Sequence, residues 1–169
     1  RLISSAASDV YKRQQLHRNF QGYCTRETTG QVYAFGASSI SQLDSAYIQN
    51  IKNASQYIKS IEKDNLAVLR GYSVDKDQKI IREIINSIMC NYYVDIKSIA
   101  KKYNLQVSEL YGLIKFKKDN LDDFIEDEIL EFNQDIISVK ESGRLFTRNI
   151  AMRFDPLIDK KIGSYSNTV

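Results

Sequence analysis

Cysteine and histidine supply many of the nucleophiles, bases and metal ligands of proteins, and this sequence holds only Cys24, Cys90 and His17. A Cys–His nucleophile would need His17 beside one of the two thiols, with an acid to orient the ring, and no such acid is identifiable. Two well-separated cysteines and one histidine cannot build a zinc finger, a cysteine-rich cluster or a disulfide scaffold. We expect two reduced thiols, as in a cytoplasmic protein.

Carboxylates are crowded between residues 122 and 128, where a metal site would be conceivable. The residues concerned are Asp122, Asp123, Glu126, Asp127 and Glu128. Their i, i+4 spacing favours one solvated acidic face of a helix over a metal site. Lysines at 115, 117 and 118 precede this run, so the two together predict a charge-balanced surface.

The small-residue run Gly36–Ser41 follows a short apolar piece, residues 32–35. Glycine and serine allow a backbone to turn tightly and to approach a ligand closely. On these residues alone, the run is either a tight turn or a loop that lines a ligand site.

Length and composition restrict the class of protein that must position these residues. The chain has 169 residues, 43% of them hydrophobic and 27% charged, which is typical of one globular domain and excludes dominant disorder. No apolar run approaches the ~20 residues needed to cross a bilayer. A net charge of +3 is far below the concentrated basicity of a nucleic-acid-binding protein.

The first fourteen residues, RLISSAASDVYKRQ, show no capping signal, no apolar period and no apolar core of a secretory signal. They resemble the translated adapter sequence found at the ends of assembled sequencing fragments, and we interpret them as an unstructured artefact. They contain three basic residues and one acidic residue, so the net charge of the remainder is +1.

Apolar periodicity predicts a mostly helical chain from about Leu43 onward. A first helix is indicated by Tyr47, Ile51, Ala54, Ile58 and Ile61, and a second by Ile81, Ile84, Ile85, Ile88 and Tyr92. We expect Asp75 or Asp77 to cap the second helix and Gly71 to lie in the connection between the two.

The following elements are predicted to be shorter. Asp95 should begin a helix that buries Ile96, Ile99 and Ala100 and stops at Asn104, and a fourth helix should run from Val107 to about Lys118. Residues 129–132 and 136–139 predict a hairpin around Asn133–Asp135, followed by a helix between Gly143 and Pro156. A short helix, a turn, a second helix and a hairpin is the order of a winged-helix module.

Three stretches carry a resemblance to a known family: LHRNFQGYCT at 16–25, FGASSIS at 35–41 and GRLFTRNIAMRFD at 143–155. Arg70-Gly71 and the stretch 88–91 agree with it. Over residues 15–159 the chain resembles the carboxyl-terminal part of oxygen-independent coproporphyrinogen III oxidase, a radical S-adenosylmethionine (SAM) family of haem biosynthesis.

The resemblance implies an α+β fold that is mainly α. A helical carboxyl-terminal domain with a winged-helix-like β-hairpin would be attached to the last piece of a radical SAM partial (β/α) barrel. We therefore expect the artefact at 1–14, the end of the barrel at 15–42, the helical domain at 43–159 and a tail at 160–169.

The family's reaction converts coproporphyrinogen III to protoporphyrinogen IX by oxidative decarboxylation of two propionates. A [4Fe–4S] cluster reduces SAM, and the resulting radical abstracts hydrogen from the propionate. Such a cluster needs a CxxxCxxC triplet, and this sequence has no third cysteine. We therefore expect no catalytic residue and no metal ligand in this fragment, which should be inactive by itself.

The site residues implied by the resemblance are few. Ile40 and Phe20 match positions that contact SAM, although for each of them core packing is the alternative interpretation. Arg18 is the arginine that we expect to bind a carboxylate of the substrate. Cys24 and Ser39 depart from the threonine and alanine that are common in the family, and we interpret Cys24 as non-catalytic.

Two further arginines, Arg144 and Arg148, lie one helical turn apart near acidic neighbours such as Glu141 and Asp155. We expect surface ion pairs at both positions. The resemblance further implies a cytoplasmic, monomeric parent protein whose partners are coproporphyrinogen III and SAM, with no nucleic acid and no membrane. The alternative is a free-standing winged-helix-like module that binds protein or nucleic acid.

Overall fold

The computed structural model describes residues Leu16–Asn19, Gly22–Thr25 and 31–158, with the backbone alone for the first two ranges and for Lys118. The fold is mixed helix and strand, mainly helical, with small antiparallel sheets, which confirms the predicted fold class. Within the described residues, no helix is both long and apolar enough to cross a membrane.

Contacts divide the chain into two compact units, an amino-terminal unit, Arg1–Lys79, and a carboxyl-terminal unit, Ile80–Val169. The predicted boundary at residues 42/43 falls inside the first unit, between two paired strands. Because a compact unit need not coincide with a domain of a family, that division stays a prediction.

Among its described residues, the amino-terminal unit contains two small antiparallel sheets and one complete helix. Strands β1 (Leu16–Asn19) and β2 (Gly22–Thr25) form a hairpin in which His17 lies opposite Cys24 and Arg18 opposite Tyr23. The second sheet has the order β3-β4-β5. Its strands are β3 (Ile40–Gln42), β4 (Ala46–Asn50) and β5 (Val68–Ser73), and α1 (Ala54–Ile61) connects the last two.

The prediction of a helix from Leu43 was wrong in its first half, because residues 46–50 form strand β4. Tyr47 and Ile48 pair with Tyr72 and Gly71 of β5, and these distant hydrogen bonds override the local helical spacing. For the same reason Gly71 lies within a strand and not in a connection. The helix begins only after Asn53, whose side chain accepts the backbone N–H of Gln56 at 3.0 Å.

The carboxyl-terminal unit consists of helices around a three-stranded sheet of order β6-β8-β7. Its helices are α2 (Lys76–Asn91, which begins in the first unit), α3 (Ile96–Lys102), α4 (Val107–Leu113), α5 (Asp122–Glu126) and α6 (Thr147–Met152). Its strands are β6 (Tyr93–Asp95), β7 (Leu130–Asn133) and β8 (Ile136–Val139). The 3₁₀ segments are Lys118–Leu121 and Glu141–Phe146.

The predicted starts of α2 and α3 are confirmed by their caps. Asp75 accepts the backbone N–H of Gln78 at 2.8 Å, while the side chain of Gln78 accepts the N–H of Asp75. Asp95 accepts both the backbone N–H and the hydroxyl of Ser98, and these hydrogen bonds lower the pKa of its carboxyl group.

The predicted hairpin is also confirmed, with Gln134 and Asp135 both at positive φ between the strands. The predicted end of α4 at Lys118 was wrong, since the helix ends at Leu113 and Lys115 has a φ of 51°. Strand β6, which pairs with β8, was not predicted at all.

One hydrophobic core holds the carboxyl-terminal unit together. Ile80, Ile84 and Ile88 of α2 are fully buried, as is Phe154, which stacks on Phe116 at a ring-centroid distance of 4.9 Å. The predicted inward residues of α3 are all buried. This core fixes the position of the hairpin and of the segment after it.

Candidate functional site

The turn between residues 36 and 39 is held in one conformation by its own polar groups. Gly36 has a φ of +100°, which favours glycine, and Ser38 has a φ of 63°. The Ser39 hydroxyl donates to the carbonyl of Gly36 at 2.6 Å, and the N–H of Ser38 donates to the carbonyl of Ile51 at 2.9 Å. The small-residue run is therefore a tight turn that is tied to the end of β4.

Two residues that the sequence analysis did not identify hold this turn from outside. The side-chain amide of Asn50 lies 3.0 Å from the Gly36 carbonyl, 3.1 Å from the Ser39 hydroxyl and 3.3 Å from the Ala34 carbonyl. The Tyr57 hydroxyl of α1 accepts the N–H of Gly36 at 3.1 Å. Asn50 of β4 and Tyr57 of α1 therefore fix the turn at residues 36–39 by hydrogen bonds. No spacing rule could have found them, because their partners are mostly backbone atoms distant in the sequence.

A cation is connected to the same turn through a glutamine. The Nε of Arg70 donates to the side-chain oxygen of Gln49 at 2.8 Å, and the amide nitrogen of Gln49 donates to the carbonyl of Ser38 at 3.3 Å. Arg70 belongs to the Arg70-Gly71 pair noted in the sequence. The turn thus has small residues on one side and an exposed guanidinium on β5.

Ile40 follows this turn as the first residue of β3, where it is half-buried and pairs with Gln49. Phe20 lies outside the described residues, and so does the side chain of Arg18, whose backbone belongs to β1. The structure therefore describes one of the three expected site residues in full. The backbones of His17 and Cys24 are opposite each other in the β1–β2 hairpin, whereas Cys90 is buried in the other unit.

The acidic run in the carboxyl-terminal unit is exposed, as expected. All five carboxylate side chains between residues 122 and 128 are exposed on α5 and the turn that follows it. Across the residues that the structure describes, no three His, Cys, Asp or Glu side chains are grouped closely enough to hold a metal ion.

The arginines of the carboxyl-terminal unit form surface contacts. Arg144 pairs with Glu141 at 2.8 Å and lies over the ring of Tyr92 at 4.8 Å, which confirms the predicted surface pairing. Arg148 is exposed. Arg153 pairs with Asp123 at 2.7 Å and lies over the ring of Phe124.

The turn of the β7–β8 hairpin, which would be the wing of a winged-helix domain, makes contacts within the protein through Asp135. Asp135 accepts the hydroxyl of Tyr111 at 2.6 Å and lies 3.4 Å from the ammonium of Lys97. Burial, together with the hydrogen bond to this carboxylate, raises the pKa of Tyr111. Helix α4 ends before Lys115, so its exposed face carries Glu109 where a DNA-reading helix would carry basic residues.

A groove with a volume of about 620 Å³ lies in the carboxyl-terminal unit, between the acidic helix α5 and the end of α6. This volume is within the usual range of ligand pockets, about 300–1,000 Å³. Its lining consists of Ile114, Lys115, Asn120, Asp123, Phe124, Asp127, Ile129, Phe146, Asn149, Met152, Arg153, Asp155, Pro156 and Ile158.

Comparison with known families gives a match over most of the carboxyl-terminal unit. Residues 74–146 match the model of the HemN C-terminal domain. The chain is 33% identical to the oxygen-independent coproporphyrinogen III oxidase of Escherichia coli (strain K12), over 86% of this chain and 31% of that protein. It is 31% identical to the enzyme of the same name from Synechocystis sp., over 89% of this chain and 32% of that protein.

A solved structure agrees with these relatives. The coproporphyrinogen III oxidase HemN from Escherichia coli, described as a radical SAM enzyme, matches with a TM-score of 0.78 and 30% identity, over 94% of this chain and 35% of that chain. The comparisons confirm the resemblance to this family. The chain spans about a third of the length of the curated relatives that it matches.

Proposed function

We propose that this chain is the carboxyl-terminal part of an oxygen-independent coproporphyrinogen III oxidase. The parent enzyme would convert coproporphyrinogen III to protoporphyrinogen IX by oxidative decarboxylation of two propionates. One observation carries the proposal: oxidases of this name are similar to the chain over 86% of its length. The match of residues 74–146 to the HemN C-terminal domain lies within that region.

The residues of this chain do not fit a [4Fe–4S] cluster. Three thiolates are required to hold three irons, and the full sequence has two cysteines. We propose that the rest of the parent enzyme binds the cluster, and that this part alone is inactive. When cluster and SAM are bound, they supply the radical chemistry, while the protein contributes binding and orientation.

The turn at residues 36–39 supports a SAM contact in this chain. Ile40 is half-buried directly after the turn, so part of its side chain is available to a ligand. Because Asn50 and Tyr57 fix the turn, the position of Ile40 is fixed before any ligand binds. We propose that Ile40 and Phe20 contact SAM and that Arg18 binds a carboxylate of the substrate.

The remaining properties of the parent enzyme are proposed on the same basis. It would be a cytoplasmic monomer whose partners are SAM and coproporphyrinogen III, and it would bind neither nucleic acid nor a membrane. The division into an artefact at 1–14, the end of a barrel at 15–42, a helical domain at 43–159 and a tail at 160–169 belongs to this proposal.

The experiment begins with the genomic DNA upstream of the codon for Gln15. We expect an in-frame extension that encodes CxxxCxxC. The protein from this longer frame, reconstituted anaerobically with iron and sulfide and supplied with a reductant for the cluster and an electron acceptor for the substrate radical, should form protoporphyrinogen IX and CO₂ from coproporphyrinogen III and SAM. The 169-residue chain alone should form none.

A pair of variants in the same sheet tests the SAM contact within that enzyme. Ile40→Ala should raise the KM for SAM about tenfold, because a contact worth about 1.4 kcal/mol is lost. Ile48→Ala, a half-buried isoleucine of β4, should leave it unchanged. Equal effects of the two variants would contradict the role of Ile40.

In the genomic experiment, a stop codon followed by a start codon near Gln15 would contradict the enzyme assignment.

The second candidate function is a free-standing interaction module that binds protein or nucleic acid. One observation favours it: strand β6, helices α3 and α4 and, after α5, the β7–β8 hairpin follow one another along the chain, and the strands form one sheet of order β6-β8-β7, as in a winged-helix domain. The engagement of Asp135 with Tyr111 and Lys97 makes a nucleic-acid-reading wing the weaker alternative.

A further inference from the structure

Three residues form one row across the sheet β3-β4-β5. Ile40 of β3 lies directly opposite Gln49 of β4, and Gln49 lies directly opposite Arg70 of β5. Residues directly opposite each other on antiparallel strands project from the same face of the sheet. The side chains of Ile40 and Arg70 therefore share one face, and two strand spacings, about 10 Å in all, separate their backbones.

Gln49 orients the guanidinium of Arg70. Its side-chain oxygen accepts the Nε–H of Arg70 at 2.8 Å, while its side-chain nitrogen donates to the carbonyl of Ser38 at 3.3 Å. The amide of Gln49 is thus held at both of its ends. Because Nε is engaged, the two terminal nitrogens of Arg70 remain for an acceptor that presents two oxygens in one plane. A carboxylate has this geometry and binds arginine through two parallel hydrogen bonds.

The charge of Arg70 has no acidic partner among the residues that the structure describes. Its guanidinium contacts the neutral amide of Gln49, whereas Arg144 and Arg153 each pair with a carboxylate. The side chain of Arg70 is also exposed. Exposed arginines are common on protein surfaces, but this one is oriented by a fixed amide on the same face as Ile40. It is therefore prepared to receive a carboxylate from outside these residues.

We propose that Arg70 binds a carboxylate of a ligand that lies on the Ile40 face of this sheet. The inference rests on the proposed function, in which Ile40 contacts SAM close to the substrate. SAM carries one carboxylate and coproporphyrinogen III carries four, so the shared chemistry is a carboxylate and the two molecules are its possible sources. Arg70 is the binding residue, and Gln49 is a positioning residue that acts through it.

Equilibrium binding to the parent enzyme tests this contact. The enzyme is reconstituted with its cluster but left unreduced, so that no turnover occurs, and the Kd values of SAM and of coproporphyrin III, the oxidised and fluorescent form of the substrate, are measured separately. Arg70→Gln should raise one Kd by about tenfold or more, because a charge-assisted pair is lost. The ligand whose Kd rises supplies the carboxylate. Arg70→Lys should have an intermediate effect, because lysine keeps the charge but not the two parallel hydrogen bonds.

Two control variants should leave both Kd values unchanged. Arg148→Gln removes an exposed arginine of the carboxyl-terminal unit. Ile48→Ala alters the other face of the same sheet, where Ile48 lies opposite Ser41 and Gly71. The tetramethyl ester of coproporphyrin III and 5′-methylthioadenosine are control ligands without a free carboxylate, and each should bind the unchanged enzyme and Arg70→Gln equally.

A double-mutant cycle tests the role of Gln49. Gln49→Leu removes the acceptor that orients the guanidinium and should raise the same Kd several-fold. In the Arg70→Gln enzyme, Gln49→Leu should raise it no further, because the residue through which Gln49 acts is already absent. Additive effects of the two changes would contradict the positioning role of Gln49.

Three results would overturn the role of Arg70: Kd values that Arg70→Gln leaves unchanged, an equal rise with Arg148→Gln, or an equal loss of affinity for the ligands without a carboxylate. If the unchanged enzyme turns over while one of these results is found, the inference fails and the proposed function stands. A longer frame without CxxxCxxC, or an unchanged enzyme without turnover, would instead contradict the proposed function on which the inference rests.

Discussion

Among the side chains that the structure describes, the two units of this chain differ in how far their apolar residues are buried. In the carboxyl-terminal unit, eighteen buried apolar residues form one cluster that includes Phe154 and the isoleucines of α2. In the amino-terminal unit, Ala67 and Val74 are buried, whereas Phe35 and Leu66 are 87% and 88% exposed. Exposed large side chains there also include Tyr33, Ile58, Ile61, Val68, Leu69 and Tyr72.

Within the described residues, this difference separates a unit that has a large buried cluster from one that exposes many of its large apolar side chains. Extended exposed apolar surface marks a region that packs against another surface. The exposure of Tyr33 and Phe35 agrees with the proposal that residues 15–42 belong to a larger barrel. The polar contacts of Asn50 and Tyr57 maintain the local shape of the turn.

The largest expected effect compares one phenylalanine in each unit. Phe154→Ala removes a fully buried ring from the core and should lower the free energy of unfolding of its unit by about 3–5 kcal/mol. Phe35→Ala should change it by less than about 0.5 kcal/mol, because that ring is exposed. Hydrogen exchange of the amides of each unit, measured at increasing urea concentration, gives the free energy of unfolding of that unit in both variants. Similar costs would show that the amino-terminal unit has a core of its own.

A smaller effect is expected at two glycines. A Cβ on Gly143 would lie 2.3 Å from the carbonyl oxygen of Ile129, which is backbone and cannot move aside cheaply. Gly143→Ala should therefore cost about 1–3 kcal/mol. At Gly71 a Cβ would be 3.7 Å from the carbonyl oxygen of Tyr47, an ordinary contact, so Gly71→Ala should stay within about 0.5 kcal/mol. Thermal unfolding of both variants decides whether packing is tight only in the carboxyl-terminal unit.

The smallest effect concerns one tyrosine hydroxyl in each unit and its dependence on pH. Tyr111→Phe removes the hydrogen bond to Asp135 and should cost about 0.5–1.5 kcal/mol at pH 7. Burial raises the pKa of Tyr111, so its stabilising contribution is complete below the ordinary phenol pKa of about 10. That contribution is lost as the pH rises further.

Unfolding measured between neutral and alkaline pH tests this sign. The unchanged protein should lose stability above about pH 10, and Tyr111→Phe should lose less of it. The matched control is Tyr33→Phe, whose hydroxyl donates to Gln31 on an exposed surface and should contribute under about 0.5 kcal/mol. If the unchanged protein and Tyr111→Phe lost the same stability at alkaline pH, the loss would come from other titrating groups and not from Tyr111.

The sequence predicted best where structure depends on nearby residues. The caps at Asp75 and Asp95, the inward face of α3 and the hairpin turn at Gln134-Asp135 all follow from local chemistry. Strands β4, β5 and β6 were missed, because each is fixed by pairing with distant residues. In residues 47–61 the spacing suits a helix equally well, so periodicity alone could not distinguish the strand from the helix.

Within the candidate site, the sequence left open whether the run Gly36–Ser41 forms a tight turn or a ligand-lining loop, and the structure shows a turn at residues 36–39. Ile40 was singled out by resemblance alone, and its role stays a prediction. Asn50 and Tyr57 reach the turn only because β4 and α1 pack against it in the folded protein. The spacing of residues in the sequence does not indicate such a tertiary contact, so these two residues could be identified only from the structure.

The strand order β6-β8-β7 has a consequence for how the carboxyl-terminal unit forms. Strands β7 and β8 are joined by a two-residue turn, so they can pair within microseconds. Strand β6 pairs with the far side of β8 only when the intervening helices α3, α4 and α5 have been enclosed in a loop. Closing that loop costs chain entropy, so the third strand joins late and ties the end of α2 to a hairpin that is already in place.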